Sequence, residues 1–224
     1  MPSPDRQLPL TRRRFLLTSA GAGAALALAS APARATARPR PFGRYGSPAA
    51  RLTAQTLYVD ASGQGDFTSV RAAVTAATGS GWTLVIAPGT YRETVAVDVT
   101  RTGMTWLGAG DDPRDVVIVY DNAAGTKKPD GTPYGTAGSA TFTSAAPGLT
   151  VRDLTLANDW LRADHPDITG TQAVAAYTYG DRTHFENVRL LAHQDTLFVE
   201  TSALTAFDRQ YFHRCYIEGD VDFV

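Results

Sequence analysis

Three apolar runs in the second half of the chain repeat one another, and that repetition constrains the fold more than any other feature. Val151, Phe185 and Phe212 are each followed three residues later by Leu154, Val188 and Cys215, and two further on by Leu156, Leu190 and Ile217. The separations are 34 and then 27 residues. A period of this size marks stacked coils, each too small to bury its apolar face alone and each closing that face against its neighbours. A β-sandwich is the rival, since it too shows short alternating strands, but it joins them by hairpin turns such as Asn-Gly. These runs lack such turns, so the expectation is an all-β chain wound as a right-handed parallel β-helix, a single-stranded solenoid.

The rest of the chain from Leu57 onward agrees with that expectation. Short apolar runs such as "TLVIAPGTY", "VVIVYDN" and "THFENVRLLA" are broken by Gly, Asp, Asn and Pro, which means many short strands. One segment differs. Val70, Ala73, Val74 and Ala77 recur at helical spacing behind a Thr68 or Ser69 cap and stop at Gly79, predicting a short helix that plugs the open end of the coils. The polar stretches Asn122 to Gly138 and Asn158 to Gly170 are expected to project from one side as walls of a cleft.

The first fifty residues have a different character. Thr11-Arg12-Arg13-Arg14-Phe15-Leu16-Leu17 is a twin-arginine pattern, followed by an Ala/Gly/Leu run to about Ser30 and by Ala33-Arg34-Ala35, an A-x-A cleavage site. A membrane span is the alternative, and the run is too short and too rich in Ala and Gly for one. The expected division is a signal peptide over 1–35, a linker over 36–53 carrying Pro39, Pro41 and Pro48, and the β-helix over 54–224. Beyond residue 35 the chain holds 16 basic and 21 acidic residues, a net charge of −5. That balance offers no basic surface to nucleic acid or to anionic lipid, so neither is expected as a partner once the signal is cleaved. Cys215 is the only cysteine. It reads either as a small buried apolar side chain or as half of a disulfide whose partner lies beyond residue 224.

Two acids fall on the coil repeat. Asp195 lies five residues past Leu190 and Asp222 five past Ile217, so their separation of 27 equals the repeat. On adjacent coils they would stack about 4.7–4.9 Å apart at the backbone, on one face. Two carboxylates that close cannot both ionise cheaply, so one holds its proton near neutral pH while the other stays charged. An isolated Asp after a strand is otherwise a turn residue. Here Asp222 sits between Val221 and Phe223 in an apolar run, where an unpaired charge is expensive. Gln194 and Gln172 add neutral donors suited to a developing oxyanion, although a Gln in a strand-like run is also an ordinary solvated edge residue.

Six stretches carry a resemblance: "APGTYRE" (87–93), "GTAGSATF" (135–142), "LTVRDLTLAND" (149–159), "QAVAAY" (172–177), "HQDTLFVE" (193–200) and "CYIEGDVDFV" (215–224). In this order they resemble the pectinesterases, or pectin methylesterases. The resemblance implies a secreted, monomeric β-helix that hydrolyses the methyl esters of galacturonate in pectin with no metal or organic cofactor. Asp222 then matches the nucleophile, and Asp195 the proton donor that later activates water. Gln194 is similar to the family's transition-state stabiliser, Gln172 and Thr136 fall where the family contacts substrate, and Tyr177 and Phe198 match aromatic positions lining the sugar cleft.

This sequence departs from the family's pattern at three places. The stretch "ETSALTAFDRQ" is about six residues longer than in many members, so a longer loop over the acids is expected. Ala176 replaces the usual Leu of "QAVAL". The family's "LGRPW" segment is not among the 224 residues, so these are expected to form the front part of a longer catalytic domain. Two other functions remain open on the same fold: a polysaccharide lyase, and a pectin-binding or inactive β-helix fragment.

Overall fold

The computed structural model describes residues 55–224, and the proposed signal peptide and linker lie outside the described residues. The chain begins with β1 (Thr56–Val59), helix α1 (Val70–Ala76), β2 (Thr83–Ile86), β3 (Gly89–Arg92) and β4 (Val95–Val97). The next coil holds β5 (Thr105–Gly108), β6 (Val116–Tyr120), helix α2 (Gly135–Gly138) and β7 (Phe142–Ser144). It is followed by β8 (Thr150–Arg152), β9 (Thr155–Asn158) and β10 (Ala176–Thr178), with a 3-10 turn at Arg162–Asp164. Then come β11 (Thr183–Glu186), β12 (Arg189–Leu191), β13 (Leu197–Val199), β14 (Gln210–His213) and β15 (Tyr216–Glu218).

Every named strand pair is parallel, and the strands fall into three sheets. Their orders are β1-β2-β5-β8-β11-β14, β3-β6-β9-β12-β15 and β4-β7-β10-β13. The four coils from β2 to β13 each contribute one strand to each sheet in turn, which is the three-sided prism of a parallel β-helix and the fold expected from the repeat.

The register explains the periodicity. Trp106, Val151, Phe185 and Phe212 align across the first sheet, and Ile118, Leu156, Leu190 and Ile217 across the second. Alternation along a strand points one set of side chains inward, so each coil adds one apolar residue to each interior column. Trp106, Phe142 and Phe185 are fully buried and meet edge to face, with centroids 5.2 and 6.2 Å apart, and Phe212 stacks on Phe185 at 4.8 Å. Cys215 is a free thiol packed against this core, its pKa raised chiefly by burial.

The chain turns between faces through single residues in the left-handed region. Asp153, Asn187 and Arg214 have φ of 57°, 53° and 53° at one stacked corner, where the Asn187 amide donates to the Asp153 carboxylate at 2.8 Å. Asp and Asn tolerate this conformation better than most side chains, which is one reason acids and amides punctuate the runs.

Helix α1 forms where the spacing predicts it, with Ser69 as N-cap accepting from Ala72 N at 3.2 Å, and it buries Val70, Ala73 and Val74. Its first turn is closed by a distant acid. Glu93, at the end of "APGTYRE", accepts from Ser69 Oγ (2.7 Å), Val70 N (2.7 Å) and Arg71 N (3.0 Å). The carboxylate thus satisfies donors that a helix start leaves without partners and complements its dipole. Tyr91 of the same motif donates to Ala87 O at 2.9 Å, and burial pushes its phenol up to about 12.

The two long connections both run from the second sheet to the third. They are tied together: Gly125 N donates to Gly170 O and Ala124 N to Gln172 O, each at 2.8 Å. Glycine is required at this crossing, because a Cβ on Gly170 would come within 2.6 Å of Gly125 N. Asn158, 2% exposed, reaches from the end of β9 to Asn122 O (2.8 Å), Ser139 O (3.1 Å) and Val174 O (3.1 Å). Its Oδ1 accepts from Trp160 N at 3.1 Å, so one buried amide pins both connections. Asn158→Ala would strand several buried polar groups, and a loss of about 3 kcal/mol is expected in urea unfolding.

Candidate active site

The site is built at the corner between the second and third sheets. After β12 the chain passes through His193 and Gln194 to Asp195, and after β15 through Gly219 to Asp222. A parallel bridge pairs Gln194 with Val221, which sets Asp195 opposite Asp222. The pairing continues past the corner, with Asp195 N donating to Val221 O at 3.1 Å and Leu197 N to Phe223 O at 3.0 Å. Gly219 is fixed by proximity, since a Cβ there would lie 2.4 Å from Phe223 Cβ and 2.6 Å from Thr196 Oγ1. Larger side chains would push the Asp222 segment off its neighbour.

Both acids occupy the left-handed region, with φ of 59° at Asp195 and 43° at Asp222. Their environments differ. Asp195 is half-buried, and its pKa is raised first by desolvation and then by the charge of Asp222. Asp222 is exposed, as are Phe223 and Val224 beside it. The two acids line one cleft of about 320 Å³ together with Leu197, Phe198, Val199 and Val224. A larger cleft of about 710 Å³ lies beside α1, but its acid, Glu93, is consumed in capping the helix.

Aromatic residues shelve the third sheet next to the acids. Tyr177 pairs with Phe198 across β10 and β13, and their rings stack 4.8 Å apart at 20°. Tyr179 adds a third ring 4.9 Å from Tyr177. The Tyr177 hydroxyl donates to Glu200, and its pKa is raised by burial and then by that carboxylate. Such faces suit the C–H surface of sugar rings.

The remaining candidates are Gln194, Gln172 and Thr136, none of them in the lining of the cleft that holds the acids. Gln194 adjoins Asp195, and Gln194 O accepts from Ala173 N at 3.0 Å, which brings the Gln172 strand alongside. The Gln172 side chain is half-buried and makes no hydrogen bond among the described residues. Thr136 stands on α2, in a connection joined to this strand by Ser139 Oγ accepting from Val174 N at 3.2 Å. No hydrogen bond links the Thr136 side chain to either acid. The long stretch after β13 does not cover the acids as expected. Residues 200–209 join β13 to β14, at the end of β13 away from Asp195, and expose Leu204 and Phe207. The structure also brings in two residues with no signal in the sequence: Thr171 Oγ1 donates to Gln194 Oε1 at 2.6 Å, and Arg162 Nη2 to the same oxygen at 3.4 Å.

Fold and site together define a class: a parallel β-helix bearing two stacked carboxylates beside an aromatic shelf. The sequence profile of the pectinesterases matches residues 56–224, and the chain belongs to that family. A pectinesterase of Sitophilus oryzae is 30% identical over 205 residues, covering 80% of this chain and 52% of its own. The pectin methylesterase of Erwinia chrysanthemi superposes with a TM-score of 0.64 at 33% identity, over 75% of this chain and 50% of that one. A pectin methylesterase variant solved with a hexasaccharide gives 0.65 at 34% identity, with coverage of 75% and 50%. The chain therefore spans between about a third and a half of the length of the curated relatives it matches. Among the described residues no helix is long and apolar enough to cross a membrane.

Proposed function

We propose that the protein carrying this chain hydrolyses the methyl esters of galacturonate in pectin through an aspartyl acyl-enzyme. The observation that carries this reading is the registered pair in which Asp195 has a raised pKa and Asp222 is exposed in the same cleft. The ionised Asp222 attacks the ester carbonyl, and the negative charge passes to the carbonyl oxygen. Gln194 and Gln172 supply neutral donors there, which stabilise the charge without lowering the pKa of Asp195 as a cation would. The tetrahedral species collapses, the C–O bond to the methyl group's oxygen breaks, and Asp195 gives that oxygen its proton as methanol leaves. Asp195, now a carboxylate, takes a proton from water, which attacks the Asp222 anhydride. Galacturonate departs, Asp222 is again ionised, and Asp195 is again protonated.

Tyr177, Phe198 and, further out, Thr136 form the sugar-binding side in this reading. Phe198→Ala removes the ring nearest the acids, and KM for pectin should rise about tenfold with kcat little changed. We also propose export of the protein as a folded domain, on the strength of the twin-arginine pattern at residues 11–17.

The test is methanol release from highly methylated pectin. Methanol without new ultraviolet absorbance supports the esterase. Unsaturated, ultraviolet-absorbing products would replace it with a lyase, and saturable pectin binding with neither product would replace it with a binding module.

A further inference from the structure

We infer that Thr171 and Arg162 are positioning residues that lock the Gln194 side-chain amide in one of its two orientations, leaving Nε2 as the donor to the oxyanion. The inference rests on the reading of Gln194 given above. A glutamine amide presents an acceptor at one end and donors at the other, and rotation about its last torsion exchanges them with little intrinsic preference. With Nε2 toward the reacting carbonyl it stabilises the oxyanion; with Oε1 there it repels it. The catalytic value of Gln194 therefore depends on something that selects the orientation.

The two contacts on Gln194 Oε1 divide that task. Thr171 Oγ1 lies at 2.6 Å and supplies the close contact, but a hydroxyl both donates and accepts, so it could serve either orientation. Arg162 Nη2, at 3.4 Å, belongs to a guanidinium that can only donate. It would face Nε2 donor to donor after a flip, so it breaks the symmetry that Thr171 leaves. Together they place two donors on Oε1, and Gln194 Nε2 has no partner among the described residues. Arg162 makes no ion pair among the described residues, so its charge is free to act on this amide. The geometry also uses the second long connection, because the 3-10 turn at Arg162–Asp164 and Thr171 both belong to it.

The experiment combines kinetics on pectin with amide spectra of protein labelled with 15N at glutamine. Thr171→Val should lower kcat about tenfold with KM within about twofold, a fraction of the 100- to 1,000-fold expected for Gln194→Ala. Thr171→Ser should restore it, and Arg162→Met should lower kcat about threefold, with Arg162→Lys partly restoring it. On the Gln194→Ala background neither Thr171→Val nor Arg162→Met should have any further effect. The Gln194 side-chain amide signal, assigned by its loss in Gln194→Ala, should shift in Thr171→Val and return in Thr171→Ser. Wild-type kcat in Thr171→Val beside an impaired Gln194→Ala, an unmoved amide signal, or a loss that persists on the Gln194→Ala background would each overturn the inference. An Arg162→Met effect confined to KM would also overturn Arg162's part in it and make that residue a substrate contact. Wild-type kcat in Gln194→Ala would instead overturn the role given to Gln194 itself.

Discussion

Asp222→Asn is expected to abolish methanol release, with kcat reduced by at least about 10⁴-fold, because the carboxamide keeps the shape of the side chain and loses the nucleophilic charge. The fold should be untouched. Asp222 is exposed and its carboxylate accepts no hydrogen bond among the described residues, so removing the charge leaves no polar group stranded. A change in unfolding free energy within about 0.5 kcal/mol is therefore expected. Circular dichroism and thermal unfolding of the variant separate a chemical loss from a structural one. Near-full activity in a folded Asp222→Asn protein would mean that the nucleophile is another group.

Asp195→Asn should have an opposite signature in stability. The variant cannot deliver or take a proton, so a loss of about 10³-fold in kcat is expected. Yet it should unfold at a higher temperature than the parent once the pH is high enough to ionise Asp195. Asp195 has its pKa raised in the folded state above the ordinary value of 3.8, by desolvation and by Asp222. The folded protein therefore holds this proton more tightly than the unfolded chain. Its favourable contribution is complete below that ordinary value and is lost as pH rises through the raised one. Once ionised, Asp195 is a net liability that Asn removes. The gain is at most about 1 kcal/mol, because partial solvation screens the interaction. Unfolding midpoints of the two proteins should differ on the alkaline side of the Asp195 titration and converge toward pH 4. A variant less stable than the parent on that alkaline side would show that the ionised carboxylate is held favourably. The same titration limits wild-type turnover, which should decline on the alkaline side as Asp195 loses the proton that methanol needs.

Conflict between activity and stability at Asp195 is the energetic cost of desolvating one carboxylate and setting a second beside it. Neighbouring parts of the fold offset it. The second and third sheets hold the backbone on both sides of Asp195, β15 leads into Asp222, and Gly219 permits the close approach that puts the Asp222 segment against Thr196. Asn158 and the Gly125–Gly170 crossing hold the two long connections over the same side of the coils.

Much of this architecture was legible in the residues alone. The columns Val151, Phe185, Phe212 and Leu156, Leu190, Ile217 are the observed registers. The α1 cap at Ser69 was likewise readable, because capping is a local rule about a few consecutive residues. Glu93 was not read as a cap, since it meets α1 from more than twenty residues away. Thr171 and Arg162 carried no signal either: each meets Gln194 across a segment without periodicity.

What the sequence determined by itself is the alignment of Asp195 with Asp222. In parallel coils a constant repeat carries every residue of one coil onto its counterpart in the next, so a spacing of 27 shared by strands and acids leaves one outcome. What only the tertiary structure decided is how each acid is solvated, where the stretch 200–209 sits, and which side chains fall on the Gln194 amide. Those depend on the path of irregular connections and on burial summed over several coils, and neither quantity is encoded in the spacing of neighbouring residues.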